Sequence, residues 1–161
     1  MVEKYTLDEM DLKILYAIQN SPDAPISDIG ELVGLSQTPC WRRLKRMQDA
    51  GIMRERVWLL DADKLGLSVN VFAEVRLKQH DEQTLEAFED MTRQRPEIVE
   101  CFSMSGQSDY LLRILVGSVA DYERFLKKIL LHLPGVGSIN SSFALQSVKI
   151  TTDLPLRPGL A

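Results

Sequence analysis

The strongest constraint on the fold is a change in hydrophobic period at about residue 68. Before this point apolar residues recur three and four positions apart, which is typical of amphipathic helices. After it, segments with strand-like alternation are interleaved with two further helical segments. The sequence therefore predicts two small domains of different class, and a length of 161 residues is sufficient for both.

The first two helices are predicted from their caps and apolar stripes. Residues 6–20 should form a helix, because Thr6 and Glu9 have the spacing of a capping box. A second helix is expected after the turn NSPDAP. Asp23 would cap it and Pro25 would lie in its first turn, where a missing amide hydrogen does no harm.

A third helix over about residues 37–50 follows a tight turn at Gly34. Gly34 supplies the turn conformation and Gly30 allows the second and third helices to cross closely. Ser36 is the expected N-cap of the third helix. Three short helices with a glycine in the second turn match a helix-turn-helix. The predicted buried face of the third helix consists of Cys40, Leu44 and Met47.

The sequence after the third helix predicts a sheet with helices. The segment IMRERVWLL is expected to be an extended strand, followed by a short connector. From residue 69 the elements follow the order β-α-β-β-α-β, the split βαβ arrangement of ferredoxin-like folds. The fold class is therefore α+β. The predicted domains are residues 1–60 with a linker to about 68, residues 69–150, and a proline-rich tail at 151–161.

Positive charge is concentrated in one helix of an acidic chain. Residues 37–56 contain six basic and two acidic residues, although the formal net charge of the whole chain is −4. A local cationic stripe on an anionic protein indicates that a polyanionic partner is bound by one element only.

The outward face of the third helix has the side chains that bind a DNA major groove. Gln can bond adenine, Arg can bond guanine, and a Thr methyl can contact thymine. Basic residues farther along the helix suit phosphates, as does the helix N-terminus. The predicted DNA-binding residues are Ser36, Gln37, Thr38, Trp41, Arg42, Lys45 and Arg46.

Structural alternatives remain for several of these side chains. Basic residues on an exposed helix face are often only solvated, and Trp41 could simply cover the edge of a small core. Arg43 lies beside the buried face and could pair with Asp49 or Glu31 instead of contacting DNA.

Other classes of protein are disfavoured by what the sequence lacks. Cys40 and Cys101 lie in separate segments, and His80 and His132 have no metal-ligand partners at suitable spacing. We expect no metal, no cofactor and no enzyme activity, because no phosphate loop or catalytic constellation is present. No segment resembles a signal peptide or a membrane span, so we expect a cytoplasmic protein without a membrane partner.

The segment VGLSQTPCWRRLKRM…AGIM, then LGL, then VECFSMSGQSDYLLRILV resembles the Lrp/AsnC family of prokaryotic transcription regulators. The resemblance covers roughly residues 6–150. It implies a winged helix-turn-helix at the N-terminus and a C-terminal domain that forms homodimers, often assembled into octamers. It also implies small effectors, usually amino acids, bound between subunits.

The resemblance identifies candidate effector-binding residues. The loop SGQSDY matches the family's Gly-x-x-Asp-Tyr loop, which makes Gly106, Asp109 and Tyr110 candidates, with Ser105 adjacent. Asp109 could bind an ammonium group, and amides around Gly106 a carboxylate. The structural alternative is a tight turn in which Asp109 bonds its own backbone.

Family members often have threonines at two positions of the last strand. In this chain these positions are Ile139 and Ser141, and only Ser141 keeps a hydroxyl. Ser141 is therefore a further effector candidate.

Two functions remain open. The first is an effector-modulated regulator that binds double-stranded DNA. The second is an amino-acid-sensing module that uses the helix-turn-helix to bind protein partners.

Apolar residues in VNVFAEV, YLLRILV and SFALQSV should leave a hydrophobic second sheet face, which predicts a homodimer.

Overall fold

The computed structural model describes residues 5–156, and the ends of the predicted first domain and tail, residues 1–4 and 157–161, lie outside the described residues. The described chain forms two compact units. The first runs to Trp58 and also includes Ile150 to Leu156, and the second comprises Leu59–Lys149. We refer to them as the helical unit and the sheet unit.

The helical unit contains three helices: α1 (Glu9–Asn20), α2 (Ile26–Val33) and α3 (Gln37–Asp49). Their apolar stripes meet in one small core, as the helical periodicity predicts. The buried residues of this core are Ile14, Ala17, Ile29, Cys40, Leu44 and Met47.

The start of α1 differs from the prediction. Asp8, not Thr6, is the N-cap, and its carboxylate accepts the amide of Asp11 while the Asp11 carboxylate accepts the amide of Asp8. This reciprocal pair is a capping box built from two aspartates. Glu9 is consequently the first residue of the helix and not its third.

The second helix and its turn confirm the predicted glycines but not the cap. Pro25 occupies the N-cap position and no side chain caps the helix, so Asp23 is not the cap. Gly34 adopts the left-handed conformation with φ of 76°. A Cβ on Gly30 would lie 2.7 Å from the carbonyl oxygen of Leu35, so this site accepts only glycine without movement of the turn.

The sheet unit has the predicted β-α-β-β-α-β order, which confirms the α+β class. A short 3₁₀ helix, Leu130–His132, follows its second helix. The elements are β1 (Val69–Leu77), α4 (Glu82–Arg93), β2 (Ile98–Ser103), β3 (Tyr110–Val116), α5 (Val119–Lys128) and β4 (Val136–Phe143).

The four strands form one antiparallel sheet in the order β2-β3-β1-β4. Alternate residues of β1 and β3 are buried together with residues of α4 and α5, so both helices cover the same face. Phe88 of α4 is fully buried at the centre of this core. The opposite face, which we call the open face, carries Phe72, Phe102, Leu111 and Leu115 beside polar residues.

Two predicted strands are absent or shortened. Residues 52–60 form no strand in the described chain, and Val57 to Leu60 are exposed. A strand requires a hydrogen-bonded neighbour, and this segment finds none within one copy of the chain. The extended strand predicted for IMRERVWLL is therefore not formed here. Similarly, β4 ends at Phe143, opposite Val71, because β1 extends only two residues beyond that pair.

The described part of the tail packs in the helical unit. The side chain of Gln19 on α1 accepts the amide of Leu154 at 2.9 Å and donates to its carbonyl at 3.1 Å.

Across residues 5–156, no helix combines the length and the hydropathy that a membrane crossing requires.

Candidate nucleic-acid interface and effector loop

The third helix presents two contrasting faces, as predicted. Cys40, Leu44 and Met47 are buried against the core of the helical unit. All seven residues predicted to bind DNA lie on the helix or at its N-cap, and all seven are exposed: Ser36, Gln37, Thr38, Trp41, Arg42, Lys45 and Arg46. At 100° per residue, Thr38, Arg42 and Lys45 are the three of these seven residues that lie closest to the centre of the exposed face.

Lys45 on this face already has a partner. Its ammonium lies 2.9 Å from the carboxylate of Asp49, one turn along the helix. Both side chains are more than half exposed, at 53% and 62%, so the pair contributes little to stability. A phosphate could therefore displace Asp49 at small cost.

Trp41 lies at the edge of the exposed face. It is 52% exposed and lines a cavity of about 450 Å³ beside the turn that joins α1 and α2. The same cavity is lined by Ile18, Ile29 and Arg56, whose guanidinium donates to the Pro22 carbonyl at 3.0 Å. Trp41 thus borders the core of the helical unit. The exposed part of its side chain remains available for contact at one edge of the candidate nucleic-acid interface.

The N-terminal end of α3 offers free backbone donors. The Ser36 side chain makes no capping hydrogen bond, and the first intrahelical amide is that of Cys40, which donates to the Ser36 carbonyl. The amides of Gln37 and Thr38 precede that bond and point along the helix axis. This end is therefore suited to a phosphate oxygen.

The partner predicted for Arg43 was wrong. Its guanidinium lies 2.6 Å from Asp8 and 2.8 Å from Asp11, not beside Asp49 or Glu31. Arg43 lies on the flank of α3 that packs against the start of α1, which brings these carboxylates within reach. Asp11 was not among the predicted partners, although its spacing from Asp8 is that of a capping pair.

The candidate effector loop, the segment SGQSDY at residues 105–110, is attached to β1. The Asp109 carboxylate accepts the amide of Leu77 at 2.7 Å, and its other oxygen lies 2.9 Å from His80. Its own amide donates to the carbonyl of Val75. These contacts, first the Leu77 amide and then His80, lower the pKa of Asp109. The Asp109 carboxylate therefore bonds a neighbouring strand, whereas its backbone carbonyl closes the loop by accepting the amide of Met104 at 2.9 Å.

Ser105 and Gly106 lie at the exposed tip of this loop. Gly106 has φ of 129°, a conformation that favours glycine. A residue with a side chain would adopt this conformation of the tip only with backbone strain.

Tyr110 belongs to the core of the sheet unit. Its ring centre lies 4.5 Å from that of Phe88, and its hydroxyl donates to Glu89 at 3.0 Å. Burial, followed by the bond to Glu89, raises the pKa of Tyr110 to about 12. Its side chain is therefore a structural element below the loop.

Ser141 is not brought to the loop within one chain. It pairs with Ala73, and its hydroxyl shares a hydrogen bond with that of Tyr122 on α5. Ile139 pairs with Val75, whose carbonyl receives the Asp109 amide. Of the two positions that are often threonine in the family, Ile139 is thus nearer in register to the loop.

The open face of the sheet is more polar than predicted. Arg113 pairs with Glu100 at 2.9 Å, and Asn140 donates to Glu74 at 3.2 Å. Phe143 faces the helices, where it packs edge-on against Tyr122. The segment SFALQSV, of which only Ser142 and Phe143 belong to β4, therefore adds no aromatic residue to the open face. Within residues 5–156, no group of three or more His, Cys, Asp or Glu side chains could hold a metal.

Sequence models of two known domains match the chain. Residues 7–48 match the AsnC-type helix-turn-helix domain, and residues 70–154 match the Lrp/AsnC ligand binding domain. The DNA-binding transcriptional activator DecR of Escherichia coli strain K12 is 35% identical over 150 residues, which cover 93% of this chain and 99% of DecR.

Solved structures of similar proteins share this architecture. A Neisseria meningitidis transcriptional regulator in complex with L-Met is 36% identical with a TM-score of 0.87, covering 94% of this chain and 97% of that chain. An AsnC family regulator from Agrobacterium tumefaciens is 39% identical with a TM-score of 0.87, covering 93% and 97% of the two chains.

Proposed function

The chain belongs to the Lrp/AsnC family of transcriptional regulators, and we propose that it binds double-stranded DNA through the exposed face of α3. The observation that carries this proposal is the separation of faces on that helix. Buried apolar residues fix one side, and a run of donors and cations is exposed on the other.

The position of each side chain on α3 suggests its role. Thr38 and Arg42 lie at the centre of the exposed face and are proposed to contact base edges, together with Gln37. Lys45 and Arg46, farther along, are proposed phosphate contacts. The amides after Ser36 would donate to a further phosphate oxygen, and Trp41 would border the DNA footprint.

We propose that the chain acts as a homodimer formed through the open face of the sheet. Phe72 and Phe102 are 37% and 51% exposed there, beside Leu111 and Leu115, which are partly buried. An exposed apolar surface of this kind is typical of a protein interface. Dimers would assemble into octamers, as the family resemblance implies.

A selection experiment tests both proposals together. Random-sequence duplexes retained by the full-length protein should converge on a roughly palindromic site, because a two-fold dimer presents two copies of α3. Light scattering at micromolar concentration should give at least the dimer mass. A monomer mass would contradict the dimer. Failure to retain any duplex at low salt would favour a protein-docking role for the helical unit.

We propose that a small amino acid modulates DNA binding from the loop that contains Ser105, Gly106 and Asp109. The loop exposes backbone amides for a carboxylate and holds an ionised carboxylate for an ammonium group. The complex of a similar regulator with L-Met supports an amino-acid effector. Tyr110 would support the loop from below, and Ser141 would contribute only if a second subunit completes the site.

The Asp109→Asn variant should separate ligand binding from folding. Loss of the charge removes a charge-assisted bond of about 1.5–3 kcal/mol to the ligand ammonium, which corresponds to roughly a ten- to hundredfold weaker affinity. The amide oxygen can still accept the Leu77 amide, so the melting temperature should change little. Calorimetry would use whichever of the twenty amino acids raises the melting temperature of the wild type.

The His80→Ala variant is the matched control, because it removes the other partner of Asp109 and leaves the carboxylate. Its ligand affinity should equal or exceed that of the wild type. An unchanged dissociation constant in Asp109→Asn would contradict the proposed role of this carboxylate.

A regulator that acts by binding needs no catalytic group, and we propose none. The proposed DNA partner also implies that the protein works in the cytoplasm, where the genome of a prokaryote lies.

A further inference from the structure

Arg43 is held by a closed set of hydrogen bonds at the start of α1. One guanidinium nitrogen lies 2.6 Å from Asp8 and 2.8 Å from Asp11. The other Asp11 oxygen accepts the Tyr5 hydroxyl at 2.9 Å and the Asp8 amide at 3.2 Å, and the other Asp8 oxygen accepts the Asp11 amide at 2.8 Å. All four carboxylate oxygens are therefore occupied.

Burial distinguishes this cluster from the other ion pair on α3. Asp11 is 1% exposed, whereas Lys45 and Asp49 are both largely in solvent. A buried carboxylate that loses its cation is left uncompensated, which is strongly unfavourable, whereas an exposed pair separates at little cost. Lys45 can therefore leave its partner for a phosphate, and Arg43 cannot.

The same segment also contacts Arg46, which lies three positions after Arg43 on α3. The Arg46 guanidinium lies 5.6 Å from the ring centre of Tyr5, whose hydroxyl donates to Asp11. Residues 5–11 thus contact two arginines one turn apart on α3. These contacts fix both the rotation of α3 about its axis and its position along α1.

We propose that Asp8, Asp11 and Arg43 form a clamp that positions the recognition helix and keeps the Arg43 charge from DNA. The clamp has two carboxylates and one guanidinium, so it carries a net charge of −1 at one flank of the cationic face. A phosphate backbone would be repelled at this flank, which limits how non-specific DNA can dock. Arg43 is thus a positioning residue for sequence discrimination.

The test rests on the proposed DNA binding and compares a selected operator with a scrambled duplex of equal length. The Arg43→Gln variant should keep the wild-type dependence of affinity on salt, because Arg43 contacts no phosphate. Its operator affinity should fall roughly ten- to a hundredfold more than its affinity for the scrambled duplex, the range for loss of one well-aligned base contact, because the added negative charge at the flank weakens both affinities alike. Arg43→Lys should restore part of the operator preference.

The Asp8→Asn variant keeps the buried Asp11–Arg43 pair and should fold normally. Because the flank loses its net negative charge, affinity for the scrambled duplex should rise. Asp49→Asn is the matched control for an exposed carboxylate on α3, and it should raise both affinities alike without changing the operator preference. Circular dichroism of each variant, recorded at the binding temperature, ensures that only folded protein is compared.

Two results would overturn the clamp. The first is a salt slope for Arg43→Gln that falls by about 0.9, as expected for one lost phosphate contact. The second is an unchanged operator preference in folded Arg43→Gln, which would make the cluster merely structural. If the wild type itself shows no operator preference, the proposed function fails instead.

Discussion

Replacing Phe88 by alanine should lower the free energy of unfolding of the sheet unit by about 3–5 kcal/mol. The Phe88 side chain is fully buried and its ring packs on Tyr110. Truncation removes its apolar burial and leaves a cavity between α4 and the sheet. Because Tyr110 directly follows Asp109, the same cavity should loosen the effector loop and weaken amino-acid binding.

Chemical denaturation at a fixed protein concentration would measure this effect, since oligomerisation makes apparent stability depend on concentration. Leu145→Ala is the matched control, because Leu145 is 100% exposed and its truncation should change stability by no more than about 0.5 kcal/mol. Equal stabilities of Phe88→Ala and Leu145→Ala would contradict the described core.

Replacing Gly30 by alanine should destabilise the helical unit by about 1–3 kcal/mol, the range for overpacking in a close-packed core. The added Cβ would lie 2.7 Å from the Leu35 carbonyl oxygen and 3.6 Å from the Cys40 Cβ. The Leu35 carbonyl belongs to the backbone just before α3, so relief of the clash requires the helix to move. We therefore expect operator affinity to fall even in molecules that remain folded.

Glu31→Ala provides the control for a substitution to alanine on α2. Glu31 is exposed and adjacent to Gly30, so its replacement should change stability by no more than about 0.5 kcal/mol. Thermal unfolding and fluorescence anisotropy with a selected duplex would compare the two variants. Wild-type stability and affinity in Gly30→Ala would show that the two helices do not cross as closely as described.

The period of the sequence predicted which side of each helix is buried. Cys40, Leu44 and Met47 recur at helical spacing, and all three are buried because a helix of 3.6 residues per turn brings them to one side. The exposed position of Arg42 and Lys45 followed from the same geometry. Thus the candidate DNA-binding face could be predicted without a structure.

Polar partners across the chain could not be predicted in this way. Arg43 and Asp11 are 32 positions apart, and only the packing of α3 on the start of α1 brings them together. Without that packing, the nearer acids Asp49 and Glu31 were equally plausible partners. The position of Arg43 beside the buried face thus indicates that its guanidinium needs an acidic partner, but it does not identify that partner.

The alternating patterns of the strands predicted only part of the sheet. Alternation predicted that β4 has two faces, but it could not show that Ser141 and Phe143 lie beneath α5. The pattern of residues 52–60 is strand-like, yet no strand forms because its partner is absent within one chain. Pairing depends on a neighbour, which local sequence does not specify.

The most direct test of the central claim is the salt dependence of DNA binding by Lys45→Ala. If the exposed face of α3 contacts the phosphate backbone, the slope of log affinity against log salt should become less steep by about 0.9 for each Lys45 that contacts a phosphate. Lys13→Ala is the control, since Lys13 lies on α1 in an exposed pair with Glu9. We expect a reduced slope for Lys45→Ala and a wild-type slope for Lys13→Ala. A wild-type slope for Lys45→Ala would contradict the central claim.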